Sequence, residues 1–150
     1  MAKPKSPIPS LEEFRSQLRR HKLRATRQRL AVHEVMMTLV HASADMVQEQ
    51  LEQSGSHVTA ASVYNILSQL ADEHIYNRRL AAAGKMYFDI DPSWHIHLYD
   101  RERHTFRNLA DEQLSDLVNA RLRRRRFRGY TIEGVDIQII VKPTNKNKKK

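Results

Sequence analysis

Thr59-Ala60-Ala61-Ser62-Val63-Tyr64-Asn65-Ile66-Leu67-Ser68-Gln69-Leu70 decides how the first half of this chain folds. Thr59 is a natural N-cap, and Val63, Ile66, Leu67 and Leu70 fall at i, i+3, i+4 and i+7 on one helix face. That stripe turns Ala61, Tyr64, Asn65 and Ser68 away from the core. A tyrosine ring can meet thymine methyls, and an asparagine can pair bidentately with adenine. The pattern is that of a DNA-reading helix. About two dozen residues later comes Trp94-His95-Ile96-His97, two imidazoles on one side of an extended segment.

The elements around the quoted helix extend the reading. Ser10 and Glu13 fit a capping box, followed by Leu11, Phe14 and Leu18 at helical spacing. A second helix is expected over residues 26–39, burying Leu30, Val35, Met36 and Leu39. A third starts at Ser43, turns Val47 and Leu51 inward and stops near Gly55. After the fourth helix, strands are expected at 75–80 and 85–90, joined by Ala81-Ala82-Ala83-Gly84. Helices followed by a hairpin predict a winged helix-turn-helix over residues 10–90. Residues 1–9, with two lysines and three prolines, read as a flexible basic arm.

Asp91-Pro92-Ser93 is a turn and the natural domain boundary. Beyond it, strands are expected at 95–99 and 105–109. A helix over 111–126 uses Leu114, Leu117, Val118 and Leu122, and Gly129 follows it. Val135, Ile137, Ile139 and Val141 alternate as a half-buried strand should. The fold class is therefore α+β, with the winged helix-turn-helix followed by a small α/β dimerisation and ligand-sensing domain over residues 94–141. So small a module cannot bury both faces of its sheet, which predicts a homodimer. Residues 142–150 form a basic tail, expected to be disordered.

Composition narrows the function. The 150 residues carry a formal net charge of +9, which attracts polyanions, nucleic acid above all. There is no cysteine, so disulfides, cysteine-bound structural zinc and iron–sulfur clusters are excluded. No apolar run approaches a bilayer span and the N-terminus does not resemble a signal sequence. A soluble, cytoplasmic protein with no membrane partner is expected.

Candidate DNA contacts are Ser62, Tyr64 and Asn65 on the fourth helix and Arg24, Arg27 and Arg29 around the start of the second. Lys85, with Arg78 and Arg79, falls on the expected wing. Singly, each reads as well as a solvated surface charge; charge, helix order and the exposed Tyr64-Asn65 pair agree on DNA. The run Arg121-Leu122-Arg123-Arg124-Arg125-Arg126-Phe127-Arg128 is open between a solvated basic face and a DNA-backbone or acidic-partner role.

Any transition metal must be held by nitrogen and oxygen. His95 and His97 plus a carboxylate suit Fe(II), Mn(II), Zn(II) or Cu(II) without choosing among them. Asp89 lies at the end of the wing, and His41 between the second and third helices. His41, Asp89, His95 and His97 could together hold one ion and set the angle between the reading heads. A bare His-x-His is more often a pair of surface or satisfied core imidazoles. His104 and Glu102 are further candidates, whereas His21, His33, His57 and His74 carry no spacing argument.

At this point the sequence resembles the ferric uptake regulator (Fur) family from about Leu18 to Val141. The resemblance rests on Leu23-Arg24-Ala25-Thr26-Arg27-Gln28-Arg29, His41-Ala42-Ser43-Ala44-Asp45, Ala61-Ser62-Val63-Tyr64, and Lys85-Met86-Tyr87-Phe88-Asp89 leading to His95-Ile96-His97. It implies a dimeric, metal-responsive transcription regulator, often a repressor, that binds an A·T-rich inverted repeat. Tyr64 would then contact thymines in the major groove and Arg24 would enter the minor groove. The regulatory metal, Fe(II) or Mn(II), would map onto His41, Asp89, His95 and His97. Asn108 stands where the family often adds a carboxylate. Asp100 and Arg103 replace the first Cys-x-x-Cys pair of a structural zinc site, and Val135 stands where many members place a histidine. The missing cysteines, Tyr64-Asn65 in place of Tyr-Arg, and Val135-Asp136-Ile137 are most similar to the iron response regulator (Irr) branch. That branch responds to haem, which makes His95, His97 and, further off, His104 and Asn108 possible haem contacts.

The alternative within DNA binding is a constitutive winged-helix protein without a working sensor site. A metallohydrolase built on His95 and His97 lacks an evident general base, and an enzyme is not expected. A basic protein that coats DNA without sequence preference would have no use for an exposed Tyr64-Asn65 pair.

Overall fold

The computed structural model describes residues 8–144. The expected arm and tail lie outside the described residues except at residues 8–9 and 142–144. The chain divides into two compact units, one ending at Pro92 and the other beginning at Ser93.

The first unit runs α1 (Leu11–Arg20), α2 (Arg27–Leu39), β1 (His41–Ala42), α3 (Ala44–Gln53), α4 (Ala60–Asp72), β2 (Asn77–Leu80) and β3 (Met86–Asp89). Each helix starts on a hydroxyl. Ser10, Thr26, Ser43 and Thr59 accept from the backbone N–H of Glu13, Arg29, Met46 and Ser62 respectively, and Ser10–Glu13 closes a full capping box. The apolar stripes converge on Phe14, Leu18, Val32, Met36, Val47, Val63, Leu67 and Leu70, all without solvent exposure. Leu30 and Leu39, expected inside, are only partly buried against this core. α1, α3 and α4 end through left-handed residues at Lys22, Gly55 and His74, whose following N–H groups return to the carbonyls of Leu18, Leu51 and Leu70.

The expected hairpin forms, β2 antiparallel to β3, although both strands are shorter than read from sequence. A third strand was not anticipated: β1 adds to the far side of β3, giving the order β1-β3-β2. His41 lies opposite Asp89 and Ala42 opposite Phe88. Register fixes what each face carries. Ala42, Met86 and Phe88 pack on the helical core, while His41, Asn77, Arg79, Tyr87 and Asp89 share the other face.

The second unit runs β4 (Ile96–Asp100), β5 (Thr105–Asn108), α5 (Glu112–Arg123) and β6 (Ile137–Val141). Its sheet has the order β5-β4-β6; β4 is antiparallel to β5 and parallel to β6, so α5 lies in the crossover connection. Asp111 caps α5 by accepting from Leu114 N–H. The helix stops at Arg123, three residues before the expected end, among consecutive arginines that repel one another. In the turn after β4, Asp100 Oδ1 accepts from Glu102 and Arg103 N–H at 2.9 and 3.0 Å, a local lock built from oxygen alone. Ile139 and Ile140 are 37% and 53% exposed, so the expected in–out alternation of the last strand is absent within one chain.

Candidate metal and nucleic-acid sites

His41 and Asp89 are brought together by the register of β1 on β3. His41 Nε2 lies 3.2 Å from Asp89 Oδ2, and the carboxylate has no solvent exposure. Arg79 reaches the same oxygen diagonally from β2, Nη2 to Oδ2 at 3.2 Å, and is itself buried. Asp89 Oδ1 accepts from Asp91 N–H at 2.9 Å. A buried carboxyl group with a guanidinium, an imidazole and an amide among its partners is an oxygen donor held facing a nitrogen ligand.

Arg79 does fall on the wing hairpin, as expected, but it is buried against Asp89 and is not exposed as a DNA contact would be. Alternation along β2 places Arg79 with Asp89, while its neighbour Arg78, exposed at the rim of the helix-facing side, pairs with Asp72 and donates to Ser68 O at 2.8 Å. The signal was in the sequence, since Arg79 and Asp89 fall on one face of any hairpin with that register. Pairing could not be counted before the strand ends were known.

His95 and His97 lie within the second unit. His95 immediately precedes β4 rather than belonging to it, and its Nδ1 is bonded to Ser93 O at 2.8 Å. A carbonyl can only accept, so Nδ1 carries the proton and Nε2 is the nitrogen that bears the in-plane lone pair. His97 stands on β4 with its ring centroid 4.1 Å from that of His95 and 5.8 Å from Phe106, edge-on. Both imidazoles are buried. Asn108 is opposite His97 in register but exposed. His104 sits in the turn with φ +53°, its Nδ1 3.1 Å from Tyr99 Oη, and Glu102 is exposed beside it.

The candidate DNA contacts divide by environment. Tyr64 and Asn65 stand exposed on α4, and Tyr64 lies edge-on to Phe88 at 6.0 Å. Ser62 is half-buried and held to the N-cap: its N–H donates to Thr59 Oγ1, and its Oγ accepts from the Thr59 hydroxyl. Arg24 and Arg27 are exposed. Arg29 instead turns inward, donating from Nη1 to Arg24 O at 2.7 Å and from Nη2 to Gln69 Oε1. It ties the approach to α2 onto α4 and so positions Arg24. Lys85 Nζ lies 3.7 Å from Asp45 Oδ2 at the surface. Among the described residues no helix is long and apolar enough to cross a membrane.

The model of the ferric uptake regulator family matches residues 20–139. No curated protein sequence matches the chain. Solved structures do: the Vibrio cholerae ferric uptake regulator, at 23% identity and a TM-score of 0.70, covers 87% of this chain and 99% of its own. The Pseudomonas aeruginosa ferric uptake regulator, solved with manganese, gives 22% and 0.69, covering 85% and 96%. The Helicobacter pylori regulator, described with three functional metal-binding sites, gives 17% and 0.66, covering 92% and 94%. At these identities the likeness is one of fold.

Proposed function

This chain belongs to the ferric uptake regulator family, and from that premise we propose that it is a dimeric, sequence-specific DNA-binding transcription regulator whose DNA affinity answers to a divalent metal. The observation that carries the reading is the prebuilt His41–Asp89 pair on β1 and β3, followed within a few residues by the closely spaced, mutually tilted His95–His97 pair. Three imidazoles and one carboxylate are a borderline donor set, suited to Fe(II) or Mn(II) and free of the thiolates that would select other metals. The residues present therefore fit the ion that the family implies. His41, Asp89, His95 and His97 would hold it. Asp89 already faces the Arg79 guanidinium, so binding would change the cationic partners of this carboxyl group. The protein is a binder and not a catalyst on this reading.

Tyr64 and Asn65 would read base edges, with Arg24, Arg27 and Lys85 on phosphates or in the minor groove of an A·T-rich inverted repeat. Ser62 and Arg29 would act by holding α4 and the Arg24 segment in place. A homodimer is supported by the second unit. α5 has no buried residue, Leu117 is 66% exposed, and β6 is an edge strand that shows Ile139 and Ile140 to solvent. The absence of cysteine, Tyr64-Asn65 and Val135-Asp136-Ile137 support the iron response regulator branch, with haem as the alternative ligand. His95 or His97 would hold haem only if these buried rings became accessible.

Manganese binding tests the site directly. Titration of metal-free protein with Mn(II), followed by loss of the free-ion paramagnetic resonance signal, should saturate for the native chain. Binding should weaken at least about tenfold for His97→Ala and for Asp89→Asn, as removing a ligand requires. Unchanged affinity in both variants would reject the four-residue site.

A further inference from the structure

The most concentrated charge in the chain lies outside everything described so far. Six arginines occur among the eight residues from Arg121 to Arg128, spanning the end of α5 and the segment after it, and all six are exposed. Local structure accounts for only part of the run. Arg126 Nη1 donates to Arg123 O and Arg125 O at 3.0 and 3.1 Å, which closes carbonyls left open at the helix end. The Arg125 guanidinium stands 5.7 Å over the Phe127 ring. Arg123 lines a cavity beside Trp94 and Glu133. The side chains of Arg121, Arg124 and Arg128 have no hydrogen bond, ion pair or ring contact among the described residues.

The helix dipole explains one or two cations in a last turn, and it weakens beyond that turn. Three further unpartnered guanidinium groups crowd like charges together, which is unfavourable unless an anion relieves it. We infer that Arg121, Arg124 and Arg128 form a second nucleic-acid contact, one that grips the phosphate backbone of duplex DNA without reading sequence. The planar, forked guanidinium matches phosphate oxygens bidentately. A lipid surface fits less well. From Arg121 to Arg128 the apolar side chains are Leu122, which is half-buried, and Phe127, so the run offers little apolar face to insert between headgroups. The inference rests on the DNA-binding reading. A chain already held on a duplex by Tyr64 and its neighbours would add these contacts at a high effective concentration.

The test is the salt dependence of full-length protein binding to a fluorescent duplex of arbitrary sequence, followed by anisotropy over a potassium chloride series. Three variants are compared with the native chain: Arg121→Gln/Arg124→Gln/Arg128→Gln, the same three positions changed to Lys, and Arg24→Gln/Arg27→Gln/Lys85→Gln in the winged helix. Each lost phosphate contact should make the slope of log K against log salt less steep by about 0.9, so the Gln triple should lose about two to three units. The Lys triple should keep the native slope, because charge sets it. Since the changed side chains are exposed, circular dichroism melts should superimpose. A native slope in the Gln triple together with a reduced slope in the winged-helix variant would overturn this contact and leave the primary reading standing. Native slopes in both would overturn both. Loss of binding to phosphatidylserine vesicles by the Gln triple, with its DNA slope intact, would overturn the inference in favour of lipid.

Discussion

At the scale of single residues, the fold rests on polar groups whose partners the sequence does not announce. His33 had no spacing argument, yet it lies fully buried on the inner face of α2, stacked on Phe14 of α1 at 3.9 Å and 3°. Its Nε2–H donates to Pro9 O at 2.8 Å, which leaves Nδ1 to accept from the Tyr76 hydroxyl at 2.7 Å. Burial lowers the His33 pKa below its ordinary 6.5, against smaller raising effects from the Pro9 carbonyl and Glu34, and burial also raises that of Tyr76. Between the folded value and 6.5 the unfolded chain binds more protons, so stability falls as pH drops through that window and levels off below it. His33→Gln should cost about 2 kcal/mol at neutral pH through imperfectly met hydrogen bonds. Urea unfolding should find the native–variant gap narrowing on acidification; a gap independent of pH would contradict the assignment. His41, Asp89, His95 and His97 could be named as candidates because spacing and chain order bear on a ligand set. The role of Arg79 was not legible, because it depends on register.

At the scale of elements, capping chemistry and apolar periodicity made the helices readable. Thr59 begins α4, as its position before the apolar stripe required, and the reading helix depends on it. Thr59→Ala should destabilise the protein by about 1 kcal/mol in urea unfolding and weaken DNA binding, because the first turn, immediately before Tyr64 and Asn65, frays. Unaltered stability would mean that the cap is redundant. β1 escaped the sequence reading for a physical reason. Two residues carry no measurable period, and the strand exists only because β3 offers an edge. It is entered through Val40 at φ +62°, a conformation costly for a β-branched residue. Val40 N–H returns to Met36 O at 2.8 Å, and its carbonyl accepts from Ile90 N–H at 3.1 Å, so both ends of the turn are fastened. No glycine marks the place, and propensity alone points elsewhere. The strain sits immediately before His41, where it aims a candidate ligand at Asp89.

At the scale of the whole molecule, the fold class and order of elements were readable from sequence, whereas the burial of the last strand was not. Val135, Ile137, Ile139 and Val141 alternate as if one face were covered, yet a single chain leaves Ile139 and Ile140 exposed. The missing cover is the surface of a second copy on the dimer reading. Ile140→Glu should shift sedimentation velocity toward the monomer at low micromolar concentration; an unshifted dimer would place the interface elsewhere. The central claim is that metal and DNA binding are coupled, and one measurement bears on it most directly. The affinity of the full-length protein for an A·T-rich inverted-repeat duplex should be measured metal-free and then with Mn(II), with haem as a separate arm. The account predicts a change of at least about fivefold with Mn(II), lost when His95 and His97 are replaced by Ala. Equal affinity with and without bound Mn(II) would contradict it and leave a constitutive winged-helix DNA-binding protein.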